Sequence, residues 1–553
     1  MGVKFAWRWG VLLLGVGLIP GHVPLTAQEV PSSSMPASRP DPGMSGQGDL
    51  VEALTRGHQA LSAMDLPTAR DLAEDIRGEK DASSALAVHF FLARLAFFEG
   101  RYGEGLQLLG AASVDDPPEV ARLRGMLSNL TRITTPFQQV ESDHFVVKFA
   151  PGADEVLLPY LMDTLEQSYL AIGSELGHSP TEKVRLEVYP TATDFIDVSG
   201  LTRQEIETTG IVALCVYNKL MVTSPRALAL GYRWLDTASH EYIHQVVAQK
   251  SGNKVPVWLQ EGLAKFFEVR WRGGRAADLS PMSENLLAEA LETGHFVPFE
   301  RMTPSVAKLD SQEEAQLAFA QVETFIEMMV QKKGLAGIRD LMEGMKSGLS
   351  DKDAVARVMG APFDQVVAEW KKFVAAKKPR RMAGVALMPI ILEAQQLAAE
   401  GDAPEKVTDP FLEESRAMQE YTRLGDLLRD RGRYQAALLE YQKAVGASPK
   451  ESPALQVKIA RTHLLMGRPQ EARKVLTALV ERYDSFGPAW TTLAEANAAL
   501  GDIKGAILAF EEANASNPFD PMVHAGLLAL YTREGRKREA DREEKALQLL
   551  QRG

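Results

Sequence analysis

The chain has 553 residues, 45% of them hydrophobic and 24% charged, with a formal net charge of −12. That supplies apolar material for several buried cores, at roughly 150 residues per domain. The acidic balance excludes a nucleic-acid backbone as the main partner, because phosphate binding favours a basic surface.

Lys4 and Arg8, the apolar run at 11–19 and the small-residue stretch Leu25-Thr26-Ala27 read as an export signal over residues 1–27. The run is short for a membrane span. Cleavage leaving Gln28 first is the expectation, and an uncleaved anchor is the competing reading. The expected location is periplasmic or secreted, with no integral membrane segment after cleavage. Cys215 is the single cysteine, so no intrachain disulfide forms, and its apolar neighbours suit a small hydrophobe in a buried strand.

Residues 28–48 are rich in Pro, Ser and Gly and read as a flexible linker. Residues 49–135 then read as helices. Leu92, Ala93, Ala96, Gly100, Gly105, Leu109 and Ala112 fit the small and large positions of a tetratricopeptide-type helix pair, though a plain hairpin fits them too. From 140 the period changes. Strands are predicted at 144–149 and 184–189 around an amphipathic helix at 153–176, then a hairpin of 211–216 and 220–223 turning at Tyr217-Asn218-Lys219. Its second strand, 220–223, is the expected site for an extended substrate to add as a strand.

A helix at 234–250 carries His240-Glu241-Tyr242-Ile243-His244, and Ser251-Gly252-Asn253 ends it. Residues four apart on a helix differ by about 40° around the axis, so both imidazoles face one way. Glu241 lies about 100° further round, in reach of a metal-bound water without being a ligand. Pro256 opens a second helix bearing Glu261. The bare pattern is weakly specific; the amphipathic helix, the returning glutamate and the preceding strands strengthen it. Two neutral imidazoles and a carboxylate leave a fourth tetrahedral position for water, whose pKa zinc lowers to about 7.

His240-Glu241-x-x-His244 followed by Pro256-Val257-Trp258-Leu259-Gln260-Glu261-Gly262-Leu263-Ala264 resembles the gluzincin metallopeptidases, over about residues 140–375. The resemblance implies one zinc ion per chain bound by His240, His244 and Glu261, with Glu241 as catalytic general base in peptide hydrolysis. Glu268, two turns after Glu261, is either a hydrogen-bond partner of a ligand histidine or a solvated carboxylate. Asp236 is read as structural, His144 and His295 as ordinary residues, and Phe266-Phe267 as core. One departure stands out: where such enzymes often carry a tyrosine that supports the oxyanion, this chain has Phe319.

Residues 257–380 read as mainly helical, broken near Gly273-Gly274, Gly294 and Gly334. The basic run Lys377-Lys378-Pro379-Arg380-Arg381 reads as a solvated hinge into a helical linker at 379–417. Beyond 418, Gly432, Gly467, Gly501 and Gly535 recur at spacings of 35, 34 and 34, each followed five residues later by Ala437, Ala472, Ala506 or Ala540. With Trp490, Leu493, Ala494, Phe510, Ala513 and Pro518, this resembles the tetratricopeptide repeat family over 418–553, which implies a surface that binds protein partners. The fold expected is α+β: a zincin-like metallopeptidase domain at 140–378 and a helical repeat solenoid, preceded by a short helical N-terminal region. Its partners are then a peptide or protein substrate and a protein on the repeats, with no nucleic acid. The rival reading is a catalytically weak or inactive scaffold, which Phe319 favours.

Overall fold

The computed structural model describes residues 47–78, 86–273, 279–303, 305–388, 391–392, 411 and 415–552. The export signal, nearly all of the 28–48 linker, Gly274 and residues 393–410 lie outside the described residues. Among the described residues no helix is long and apolar enough to cross a membrane.

Five helices come first: α1 (Gln47–Ser62), α2 (Leu66–Gly78), α3 (Leu86–Phe98), α4 (Tyr102–Leu109) and α5 (Pro118–Thr134). A mixed sheet follows, built from β1 (Gln138–Glu141), β2 (Phe145–Phe149), β3 (Val184–Tyr189), β4 (Ala213–Val216) and β5 (Lys219–Thr223) in the order β1-β2-β3-β5-β4. The β2–β3 and β3–β5 pairs are parallel, and both outer pairs are antiparallel. Tyr217 and Asn218 have φ of 54° and 59°, the two left-handed residues of a tight primed turn, so Lys219 already belongs to β5. Helix α6 (Leu158–Leu176) crosses over from β2 to β3; α7 (Ala192–Ser199) and α8 (Arg203–Thr209) fill the gap before β4.

Alternating side chains split between two cores. Val147, Leu186, Val188, Leu220 and Val222 pack toward α6 and the helices beyond. Tyr189, Val216 and Met221 pack against the N-terminal helices, so residues 47–134 cover one face of the sheet. That face also holds the fully buried ion pair Lys219–Glu187, 2.8 Å apart. Tyr102 of α4 donates to Glu187 at 2.6 Å, as does Tyr189. Burial alone would raise the Glu187 carboxyl, but Lys219 and the two phenols hold it well below the usual carboxylate range.

Helix α9 (Trp234–Ser251) ends at Gly252 in the left-handed conformation, and Pro256 precedes α10 (Val257–Phe267). Then come α11 (Pro281–Thr293), α12 (Gln312–Lys346), α13 (Asp351–Met359) and α14 (Phe363–Lys377). The breaks expected at Gly294 and Gly334 are present: Gly294 caps α11, and Gly334, at φ 65° and ψ −176°, interrupts α12.

The helix expected at the start of the 379–417 linker does not form over 379–388. Pro379 cannot extend α14, and the next two residues are held elsewhere. Arg380 donates from its backbone and its guanidinium to Glu284, while Arg381 binds Asn285 and Glu289. The basic run is exposed, as expected, but Arg380 and Arg381 tie it to α11 while Lys377 pairs with Glu327 of α12.

The C-terminal region consists of four helix pairs: α15 (Arg416–Asp430) with α16 (Tyr434–Val445), α17 (Pro453–Leu465) with α18 (Pro469–Val480), α19 (Gly487–Ala499) with α20 (Ile503–Ser516), and α21 (Pro521–Arg533) with α22 (Lys537–Arg552). The four recurrent glycines sit between the helices of each pair with φ of 70–77°. Ala437, Ala472 and Ala506 are wholly buried where the helices touch. The last two pairs also contact the middle of the chain; Tyr160 of α6, for instance, donates to Glu543 of α22 at 2.6 Å.

Candidate metal centre

Helices α9 and α10 converge so that His240, His244 and Glu261 each offer a donor atom, all within 4.8 Å of one another. Glu261 Oε2 lies 3.2 Å from His240 Nε2 and 3.5 Å from His244 Nε2. Donors about 2.1 Å from a common tetrahedral centre lie about 3.4 Å apart. The two separations from Glu261 match that spacing, and two imidazoles with one carboxylate suit zinc chemically.

The expected helical geometry explains the rest. Glu241 is 5% exposed and lies on the same cavity, about 1110 Å³ in volume, as both histidines and Glu261. Burial pushes its carboxyl up to about 7, partly offset by the two imidazoles. Glu268 accepts from His240 Nδ1 at 3.0 Å, which fixes the ring and leaves Nε2 facing Glu261. Lys265 donates to the other Glu268 oxygen at 2.5 Å. Burial opposes a charge on His240, yet the hydrogen bonds it donates to Glu261 and Glu268 raise it to about 10. Glu261 is lowered, the imidazoles outweighing its burial.

Other expectations sort cleanly. Asp236 is a buried acceptor for Arg233, Trp271 and Arg272. His144 bonds Glu166 and stacks on Tyr169, and His295 is exposed. Phe266 and Phe267 are core residues. Phe319 lines the cavity wall, so no hydroxyl is offered from that position.

The strand-addition expectation needs correcting. β5 lies between β3 and β4, with its backbone engaged on both sides. Among the described residues β4 pairs only with β5, and it is β4 that borders the cavity. Adjacent segments in sequence did not reveal which strand takes the edge. Sequence reasoning also passed over Lys265 and Tyr232. Lys265 had a signal, being one turn from both Glu261 and Glu268 on one helix face. Tyr232, a buried phenol on the cavity that donates to the Thr223 carbonyl, had none.

Residues 164–376 match the family model described as Peptidase MA superfamily. Residues 428–496 match that described as Tetratricopeptide repeat. The chain thus joins a Peptidase MA superfamily domain to tetratricopeptide repeats. No curated protein matches it. Similar solved structures include the first tetratricopeptide domain of Spaghetti (RPAP3) bound to an HSP90 peptide, 19% identical, covering 22% of this chain and 95% of that one, at TM-score 0.21. Another is a thermophilic tetratricopeptide protein of Thermus thermophilus, 28% identical, covering 24% and 72%, at TM-score 0.22. A third is MamA, 25% identical, covering 24% and 71%, at TM-score 0.21.

Proposed function

We propose that this chain is a zinc-dependent peptidase that hydrolyses peptide bonds, with the repeats binding a protein partner. The observation that carries the reading is the convergence of His240, His244 and Glu261 beside a buried Glu241, inside a domain of the Peptidase MA superfamily. A zinc ion held by those three residues supplies Lewis-acid polarisation and an acidified water.

The chain's own groups do the rest. Glu268 holds the proton of His240 on Nδ1, so that Nε2 is the ligand atom. Glu241, its carboxyl poised near neutrality, accepts a proton during attack and returns it to the leaving amine. The outer edge of β4, which pairs with no other strand among the described residues, supports an extended peptide by main-chain hydrogen bonds. The export expectation for residues 1–27 places the reaction outside the cytoplasm; N-terminal sequencing of the mature protein should begin at Gln28.

The deciding experiment is Glu241→Gln. It should keep one zinc per chain while hydrolysis falls by about 10²–10⁴-fold; cleavage at the wild-type rate refutes the mechanism. The scaffold reading is favoured by Phe319 on the cavity wall, since one lost oxyanion donor costs about 10²–10³-fold in rate. Digestion of a peptide library with and without chelator separates the two, because a scaffold gives identical products in both.

A further inference from the structure

The helix carrying His240 does not begin in the middle domain alone. Its first residues are held by the C-terminal end of α20. The Tyr232 amide donates to Ser516 O at 3.0 Å, and Trp234 Nε1 donates to Asn514 O at 3.1 Å. Gly231, at φ 66°, passes so close that a Cβ there would lie 2.1 Å from Ser516 O. The approach is therefore built into the backbone, not left to flexible side chains.

A charged network extends the same contact. Asp236, 4% exposed, accepts from Arg233 Nε at 2.8 Å, Trp271 Nε1 at 3.1 Å, and Arg272 Nε and Nη2 at 3.1 and 2.9 Å. Both arginines also reach Glu512 of α20: Arg233 Nη1 at 2.8 Å and Arg272 Nη1 at 3.0 Å. Two guanidinium groups are thus matched by two carboxylates, one from the metal helix and one from the repeats. Removing Glu512 takes a hydrogen-bonded carboxylate from each guanidinium and leaves both sharing Asp236, with Asp484 acting on Arg233 only through its charge.

The two arms of this network join the chain on either side of the His240 contacts. Asp236 precedes it by one helical turn, about 6 Å. Trp271 and Arg272 follow shortly after Glu268, whose carboxylate fixes His240 Nδ1. The repeats therefore grip the base of the metal helix and the segment that orients its first ligand.

We propose that α20 is a positioning element of the metal centre. Glu512, acting through Arg233, Arg272 and Asp236, sets the geometry and hence the zinc affinity of the His240 site. The repeat array is then part of the peptidase machinery, and a force on the array is felt at the cation. This rests on the zinc reading above, so the test carries one readout that needs no zinc.

The full-length chain is compared with Glu512→Ala, Glu512→Gln and Glu511→Gln. The last removes a neighbouring charge from the same helix, at a carboxylate that accepts from Tyr531 within the repeats. Zinc affinity is read by chelator competition, and amide exchange is read across 234–244 and 268–272 in metal-free protein. Glu512→Ala should weaken zinc binding about tenfold, the low end for a partner outside the ligand set. It should also speed exchange in both segments. Glu512→Gln, which keeps one acceptor oxygen, should do less, and Glu511→Gln should change neither. Combined with Glu268→Gln, the losses should fall short of additive. Unchanged exchange in Glu512→Ala, or an equal loss in Glu511→Gln, overturns the proposal. A wild-type chain that binds no zinc overturns the zinc reading instead, while the exchange data still decide the coupling.

Discussion

Gly262, next to ligand candidate Glu261, lies where α10 crosses α12. A Cβ at this position would stand 2.8 Å from Val322 O and 2.9 Å from Ile326 Cγ1. Ordinary contact begins near 3.4 Å, so Gly262→Ala must push the helices apart by about half an ångström or more; a backbone carbonyl cannot rotate away as a side chain can. Two effects compete. Alanine gains about 1 kcal/mol over glycine in a helix interior, and overpacking a tight core costs about 1–3 kcal/mol. The clash should win, for a net loss of up to about 2 kcal/mol, or as much as several degrees in melting temperature for a domain of this size. Because the same displacement moves Glu261, zinc affinity should fall with it. Gly125→Ala is the matched control, a helical glycine with nothing within 4 Å of the added methyl, and it should stabilise by about 1 kcal/mol. Thermal melting and chelator competition read both variants. If Gly262→Ala melts higher and keeps its zinc, the close-approach argument is wrong.

Three more outcomes are expected. Glu268→Gln should weaken zinc binding by about 10–100-fold while leaving the metal stoichiometry at saturation unchanged; titration calorimetry checks this. With His240 raised to about 10, zinc must displace a proton at neutral pH, so affinity should rise about tenfold per pH unit from 7 to 8.5. A flat profile there would mean an ordinary histidine. By the same shift, the metal-free fold has the full contribution of this charged imidazole below pH 6.5 and loses it as pH rises through about 10. Lys219→Met, which strands Glu187 in the interior, should cost about 3–5 kcal/mol, and adding Glu187→Leu should recover much of it; denaturant melts measure both.

The metal-site spacing was readable in the chain because a helix converts residue spacing into angle: His240, Glu241 and His244 needed only a 3.6-residue period. The repeat glycines were readable for a similar local reason, each turn demanding a left-handed residue at one offset. What escaped depended on pairing across long distances. β1, with the sequence Gln138-Gln139-Val140-Glu141 and no buried side chain, shows no alternation to detect. The edge position of β4 follows from β5 entering beside β3, which no local pattern encodes. Helices α7 and α8 are only eight and seven residues long, too short for a clear period. The Arg233–Asp236–Arg272–Glu512 network joins residues from two regions, and each of its members alone resembles a surface charge.

Contacts from Ser516 and Glu512 to the root of the metal helix also impose an order on biosynthesis. Every candidate ligand has been made once residue 261 leaves the ribosome, yet the residues that brace them emerge about 250 positions later, on the order of tens of seconds at ordinary elongation rates. During that interval the nascent chain holds a complete set of donors without its far brace. If the repeats position the metal centre as proposed, the site is slack while the chain is unfinished and tightens only when the last quarter of the chain folds back onto it.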